Sequence, residues 1–87
     1  MNILEFADVI GKDIEIIYFS NQDGRFMAHF KHCETSDGCL LRGDHGNGKE
    51  AKLALNDYSS QISGEKIVFG AFSDNRIEYS VPSLDEL

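Results

Sequence analysis

The sequence predicts an α+β protein of two layers, in which an antiparallel sheet of about five strands carries one long helix on one face. Segments rich in β-branched and aromatic residues are separated by Asp-Gly turns, a pattern typical of hairpin-linked strands. A single longer segment, from about Lys49 to Ser63, has apolar residues at helical spacing. One helix of this length covers one face of such a sheet, and a short N-terminal helix completes the prediction.

The first half of the chain is predicted to form the short helix and three strands. Asn2 can cap the helix and Gly11 can end it. The strands run from Ile14 to Phe19, from Arg25 to Glu34 and from Cys39 to Arg42. The turns between them are Asn21 to Gly24 and Thr35 to Gly38.

The second half is predicted to contain the long helix and two further strands. The apolar face of the helix is formed by Ala51, Leu55, Tyr58 and Ile62. Asn47 or Gly48 is expected to cap its start, and Gly64 to occupy the position after its end. The fourth and fifth strands are Lys66 to Ala71 and Arg76 to Val81, and Pro82 stops the last one.

The hairpin at Asp23 and Gly24 predicts how the side chains divide between the two faces of the sheet. A loop of even length would place Ile17, Phe19, Phe26, Ala28 and Phe30 together, facing the helix. The other face would carry Ile14, Ile16, Tyr18, Met27, His29, Lys31 and Cys33. Because one helix covers one face only, this second face is expected to be covered by the N-terminal helix or to be a contact surface. The predicted aromatic core is Phe19, Phe26, Phe30, Tyr58, Phe69 and Phe72.

The chain of 87 residues is expected to be one domain, residues 1–87, with a net charge of −7. Its acidic excess lies at the two ends, because the net charge is −4 in residues 1–24, zero in residues 25–73 and −3 in residues 74–87. Direct binding to nucleic acid is not expected, since phosphate contacts need clustered lysine and arginine. Two interpretations stay open: a solvated surface that keeps a small protein soluble, or an acidic face that docks on a basic partner.

We expect a protein of the bacterial cytoplasm. The N-terminal segment carries acids where a secretory leader needs bases, and no apolar stretch approaches the length that spans a bilayer. Two cysteines without a secretory context indicate reduced thiols. No membrane contact is therefore expected.

The residues suggest three kinds of site chemistry, and no cofactor is expected from any of them. Zinc-capable residues cluster along one stretch of sequence, namely His29, His32, Cys33, Cys39 and His45, but their spacing is not that of a zinc finger. His32 and Cys33 are neighbours in a predicted strand and would face opposite ways, which disfavours both a metal site and a Cys-His nucleophile. The glycine-rich segment from Gly43 to Gly48 precedes a helix and could hold an anion, yet it lacks the spacing of a phosphate-binding loop. We therefore expect a protein that is not an enzyme.

Residues 26–62 resemble the core of the HicB-type antitoxin domain. The matching segments are Phe26 to Phe30, then Gly46 to Gly48, then Glu50-Ala51 together with Ala54-Leu55. The resemblance implies a β-β-β-α-β scaffold over about 40 residues. The chain has no Pro-Gly-Cys segment after the second strand and no DNA-binding extension, so a small phage or mobile-element protein on this scaffold is favoured over a full antitoxin.

These observations predict a small protein-binding module, of the kind that phages and mobile elements use to inhibit a host complex, as anti-CRISPR proteins do. The expected partner is a protein with a basic surface. The candidate contact residues are Asp13, Glu15, Ile16, Tyr18, Asp23, Met27 and His29. The alternatives are a HicB-like antitoxin or regulator, and a domain that binds a metal or an anion. Formation of a homodimer is left open in each case, with the strand from Arg76 to Val81 as a candidate edge.

Overall fold

The computed structural model describes residues 1–21 and 23–87 and shows an α+β protein with two helices. Helices α1 and α2 span Ile3–Ile10 and Ala51–Ile62. Strands β1 to β7 span, in chain order, Ile14–Phe19, Arg25–Phe30, Cys33–Asp37, Leu40–Arg42, Gly46–Gly48, Lys66–Phe69 and Ile77–Ser80. The predicted α+β class is confirmed. Neither helix of the described residues has the length and apolar character that crossing a membrane requires.

The strands form two antiparallel sheets, not the single sheet of about five strands that the sequence predicts. Sheet I has the order β1-β2-β5, and sheet II has the order β4-β3-β6-β7. The difference arises because the segment predicted as one strand from Arg25 to Glu34 is interrupted at Lys31 and His32. β2 therefore belongs to sheet I and β3 to sheet II.

The interruption between β2 and β3 is a kink centred on His32. Its φ of 55° lies in the left-handed region, which few residues other than glycine adopt. Immediately before the kink, the Lys31 N–H donates to the Asp13 carbonyl at 3.2 Å and extends the β1–β2 ladder. Immediately after it, the Gly70 N–H donates to the His32 carbonyl at 3.1 Å and extends the β3–β6 ladder. The kink thus transfers one continuous run of chain from the first sheet to the second.

The hairpin between β3 and β4 is displaced from its predicted position. Thr35, Ser36 and Asp37 lie inside β3, and the loop consists of Gly38 and Cys39. Gly38 has φ of 64°, and two-residue hairpin loops favour glycine where φ is positive. The third predicted strand accordingly begins at Leu40 and not at Cys39.

The glycine-rich segment is not a flexible connection, because Gly46 to Gly48 form β5 and pair with β2. Helix α2 lies directly on this strand. A Cβ atom added to Gly46 would overlap the Ala54 carbonyl oxygen and the Tyr58 amide nitrogen, and one added to Gly48 would lie 2.7 Å from the Ala54 nitrogen. The glycines are therefore required by the close approach of two backbones.

The two helices differ in how their ends are capped. The prediction for α1 is confirmed: Asn2 and Glu5 form a reciprocal capping box, with bonds of 3.0 and 2.9 Å, and Gly11 ends the helix at φ of 67°. The N-cap position of α2 is Glu50, whose side chain makes no capping hydrogen bond, and the predicted Asn47 and Gly48 both belong to β5. Gly64 follows the end of α2 at φ of 77°, as predicted.

The core lies between the two helices and the sheets, and Phe30 is its aromatic centre. Its ring makes edge-on contacts with Phe6, Tyr58 and Phe69, at centroid distances of 6.3, 5.9 and 5.6 Å. The Phe30 N–H also donates to the Tyr58 hydroxyl at 3.2 Å. The buried apolar residues packed around it are Ile3, Phe6, Ala7, Ala28, Ala54, Leu55, Tyr58, Ile62, Ile67, Phe69 and Val81. Two predicted core aromatics are wrongly placed: Phe72 lies in the β6–β7 loop and is 91% exposed, and Phe19 is half-buried outside the described core cluster.

The contact between β5 and α2 predicts that Gly46→Ala strongly destabilises the protein. The added methyl group meets backbone atoms, which move only if the whole helix moves, and we expect a loss of about 3 kcal/mol or more. Gly43→Ala is the matched control, because nothing lies within 4 Å of its added Cβ. Its effect should stay within about 0.5 kcal/mol. Urea unfolding followed by circular dichroism measures both, and equal stabilities of the two variants would contradict the proposed packing.

Candidate functional site

Strand β1 is an open edge of sheet I. The register pairs Ile14 with Phe30 and Phe19 with Arg25, and the Lys31 N–H donates to the opposite Asp13 carbonyl. Hydrogen-bonded pairs alternate along an antiparallel ladder, so the odd-numbered residues of β1 bond to β2. The N–H and C=O groups of Ile14, Ile16 and Tyr18 therefore point outward, where no other described strand pairs with them.

The same register corrects the predicted division of side chains between the two faces. Ile14, Ile16 and Tyr18 share the helix-side face of sheet I with Phe26, Ala28 and Phe30. The outer face carries Glu15, Ile17, Phe19, Arg25, Met27 and His29. The prediction was wrong for β1 because the connection of residues 20–24 has an odd length, with positive φ at Asp23 and Gly24. Gln22, which the prediction included in this turn, lies outside the described residues.

Helix α2 leaves the helix-side face of β1 uncovered, because it packs on β5 and β2. Ile16 is 43% exposed and Tyr18 is 56% exposed, although both point to the same side as the buried Ala28 and Phe30. The Tyr18 ring packs on Phe26, with 4.9 Å between the ring centroids. Two apolar side chains thus stand beside an unpaired backbone edge.

The predicted contact residues surround this edge but do not lie on one face. Ile16 and Tyr18 occupy the helix-side face, and Glu15, Met27 and His29 occupy the outer face. Asp13 precedes β1, and Asp23 lies in the connection to β2; both are exposed. What brings the set together is the edge itself, since a strand added to β1 would meet side chains of both faces.

On the outer face, the Glu15 carboxylate lies near the side chains of His29 and Lys31. Its Oε1 lies 3.6 Å from the His29 Nε2, and its Oε2 lies 4.0 Å from the Lys31 Nζ. His29 Nδ1 also lies 3.0 Å from the Phe30 carbonyl oxygen. Such half-exposed pairs contribute little to stability, so Glu15 is available to an incoming positive charge.

The edge of β5, by contrast, is closed by side chains of α2. The Asn47 N–H donates to Asp57 Oδ2 at 2.8 Å, and the Gln61 side chain donates to the His45 carbonyl at 2.9 Å. These bonds occupy the backbone groups that another strand would use. They also occupy the Asn47 N–H that the sequence marked as a candidate donor to an anion.

The edges of sheet II carry charged pairs. On β7, Arg76 Nη2 lies 2.9 Å from Glu78 Oε1, and this hydrogen bond lowers the pKa of the Glu78 carboxyl. On the short β4, Arg42 pairs with Asp37 and Asp44 at 2.9 and 3.1 Å, and the Asp44 carboxylate raises the pKa of the guanidinium. Charged side chains on an edge discourage pairing; β1 carries one, Glu15, and is flanked by Asp13. Among the described edge strands, β1 is the longest, with six residues against three in β4 and β5 and four in β7.

The cysteines and histidines are not brought together. Over the described ranges, no three His, Cys, Asp or Glu side chains lie close enough to hold a metal ion. Cys39 is exposed in the β3–β4 hairpin, whereas Cys33 is half-buried beside the core. Burial raises the pKa of the Cys33 thiol to about 11, against a smaller lowering contribution from a hydrogen bond with Tyr58. Burial likewise raises the pKa of Tyr58.

Comparison with known proteins finds no family model that matches the chain and no significantly similar curated protein or solved structure.

The two thiols should differ sharply in reactivity. A pKa of about 11, against the ordinary 9.0, leaves Cys33 with roughly a hundredth of the usual thiolate fraction near pH 8. We expect a chromogenic disulfide reagent to modify Cys39 rapidly and Cys33 about a hundredfold more slowly. Cys39→Ser should leave only the slow reaction and Cys33→Ser only the fast one. In urea both thiols should react at similar rates. Two fast thiols in the native protein would contradict the burial of Cys33.

Proposed function

We propose that the protein is a small, non-enzymatic binding module that captures an extended segment of a basic protein along the edge of β1. In this proposal it is a phage or mobile-element protein that inhibits a host complex in the bacterial cytoplasm. The observation that carries the proposal is the unpaired β1 edge with two exposed apolar side chains beside it. The proposed contact has a backbone, a side-chain and a charge component.

The backbone component is strand addition. The outward N–H and C=O groups of Ile14, Ile16 and Tyr18 match the hydrogen-bonding pattern that an added strand presents. Six residues of strand give an edge of about 20 Å at 3.3–3.4 Å per residue. Main-chain bonds of this kind supply affinity for an extended peptide regardless of its sequence.

The side-chain component favours apolar residues at alternate positions of the partner. Ile16 and Tyr18 stand on the same side of the edge, and side chains of the added strand alternate in the same way. Directly opposed side chains would pack on Ile16 and Tyr18, and cross-strand pairs between aromatic and aliphatic residues are favourable. On the outer face, Glu15 would meet the remaining positions.

The charge component favours lysine or arginine in the partner. The chain has a net charge of −7, and Asp13, Glu15 and Asp23 all lie along or beside β1. Attraction between complementary charges accelerates association, and this attraction weakens as the salt concentration rises. The same charge would oppose the pairing of β1 with a second copy of itself.

A HicB-like antitoxin is the alternative form of the same proposal, and the two differ in the partner. An inhibitor would bind a component of a host complex, whereas an antitoxin would bind a small basic toxin. Both would use the acidic β1 edge. The identity of the captured protein separates them.

The proposal predicts that changes on the β1 edge weaken partner binding without unfolding the protein. Ile16→Pro removes an outward N–H that the β1–β2 ladder does not use, and Tyr18→Ala removes the larger exposed side chain. Ile16→Ala against Ile77→Ala is a matched pair, because the two isoleucines are 43% and 42% exposed on different edge strands. We expect at least about a tenfold loss of affinity for the three β1 variants, corresponding to about 1.4 kcal/mol, and little change for Ile77→Ala.

The measurement begins with affinity capture of the tagged protein from a bacterial host at low and moderate salt, followed by titration of the captured partner with each variant. Hydrogen exchange then tests the binding mode: the amides of Ile14, Ile16 and Tyr18 should exchange fast in the free protein and slowly in the complex. Equal affinity of Ile16→Pro and wild type, or exchange protection elsewhere in the chain, would refute strand addition at β1. If the capture recovers only further copies of this chain, and sedimentation shows a dimer, the β1 edge binds a second copy and not a basic partner.

A further inference from the structure

A second candidate site is a cavity of about 490 Å³ at the opposite end of the β1–β2 ladder from Tyr18. Three segments of chain meet around it: the link between α1 and β1, the kink between β2 and β3, and the start of the β6–β7 loop. Its lining residues are Gly11, Lys12, Asp13, Lys31, His32, Phe69, Gly70, Ser73 and Asn75. The volume lies in the range of small-molecule sites.

The cavity gathers positive charge in a protein whose net charge is −7. Its lining includes two lysines, Lys12 and Lys31, one acid, Asp13, and the imidazole of His32. The Lys12 Nζ lies 5.1 Å from the centroid of the Phe69 ring, and within the described ranges it has no carboxylate at 4.0 Å or closer. Among the described residues, the Lys31 ammonium contacts one carboxylate, that of Glu15 at 4.0 Å, so both ammonium groups can donate hydrogen bonds to a new anionic partner.

The walls of the cavity are held in place by hydrogen bonds. The Gly70 N–H bonds to the His32 carbonyl, and the Ser73 hydroxyl donates to the Gly70 carbonyl at 2.9 Å. The Asn75 N–H in turn donates to the Ser73 hydroxyl at 3.2 Å. His32 itself occupies a left-handed conformation that glycine would adopt more readily. Strain of this kind persists where the surroundings enforce it, and it accumulates at functional sites.

From these observations we propose that the cavity binds a small organic anion through a phosphate or carboxylate group. Lys12 and Lys31 supply the charge, and the His32 imidazole supplies a further hydrogen-bonding group. The Phe69 ring lies under the Lys12 ammonium and fixes its position by a cation–π contact. The cavity adjoins the β1 edge, since it shares Asp13 and its Lys31 contacts Glu15, but the anion site does not rest on the proposed function.

The test is a titration of the ¹⁵N-labelled full chain with phenyl phosphate and, separately, with benzoate at constant ionic strength. Saturable shifts confined to the amides of residues 11–13, 31–32 and 70–75 are expected for at least one probe, and the tighter probe identifies the preferred anion. Lys12→Met and Lys31→Met should each weaken binding by about tenfold, the equivalent of about 1.4 kcal/mol. Lys52→Met is the control, because it removes the same charge from an exposed position on α2.

His32→Gly separates binding from folding. Glycine adopts a positive φ without strain, so the variant should unfold at the same temperature as the wild type or higher. The loss of the imidazole should weaken probe binding severalfold. Shifts spread over all lysines, no saturation with either probe, or an equal effect of Lys52→Met would overturn the proposal. The proposal would also be overturned if His32→Gly and Lys12→Met both bound the probes as tightly as the wild type does.

Discussion

The close approach of helix α2 to strand β5 is the constraint on which the rest of the structure depends. Gly46 and Gly48 let the two backbones meet with no side chain between them. That contact places Tyr58 against Phe30 and brings Asp57 and Gln61 over the edge of β5. A helix fixed over β5 and β2 does not reach β1. One packing contact therefore builds the core, closes one edge of sheet I and leaves the other edge open.

Local chemistry explains which parts of the fold are readable from the sequence. The cap at Asn2, the end of α1 at Gly11 and the bounds of β1 depend on neighbouring residues only, and all are as predicted. Helix α2 is likewise found where its apolar spacing indicates. The α+β class follows from these elements.

The parts that the sequence did not reveal depend on contacts between distant residues. Gly46 and Gly48 have the composition of a loop, and only the helix lying on them explains why they form a strand. The kink at His32 has no glycine or proline to mark it, and the pairing of β3 with β6 decides where the chain turns. At the candidate site, the predicted contact residues lie along and beside β1, but the odd loop length exchanged the faces of Ile16 and Ile17. Three separate segments of chain form the cavity around Lys12 and Lys31, so no local sequence motif indicates it.

The topology also has a consequence for how the chain folds. The β1–β2 hairpin closes a connection of five residues, whereas pairing of Cys33 with Phe69 closes a loop that contains α2. Short loops close at a lower entropic cost, so the β1–β2 hairpin has the means to form before β3 pairs with β6. During that interval the β1 edge is already assembled while the core is incomplete. A nascent chain with such an edge is most exposed to unwanted pairing with its own copies, and the acidic residues around β1 then act as repulsive protection as well as surface charge.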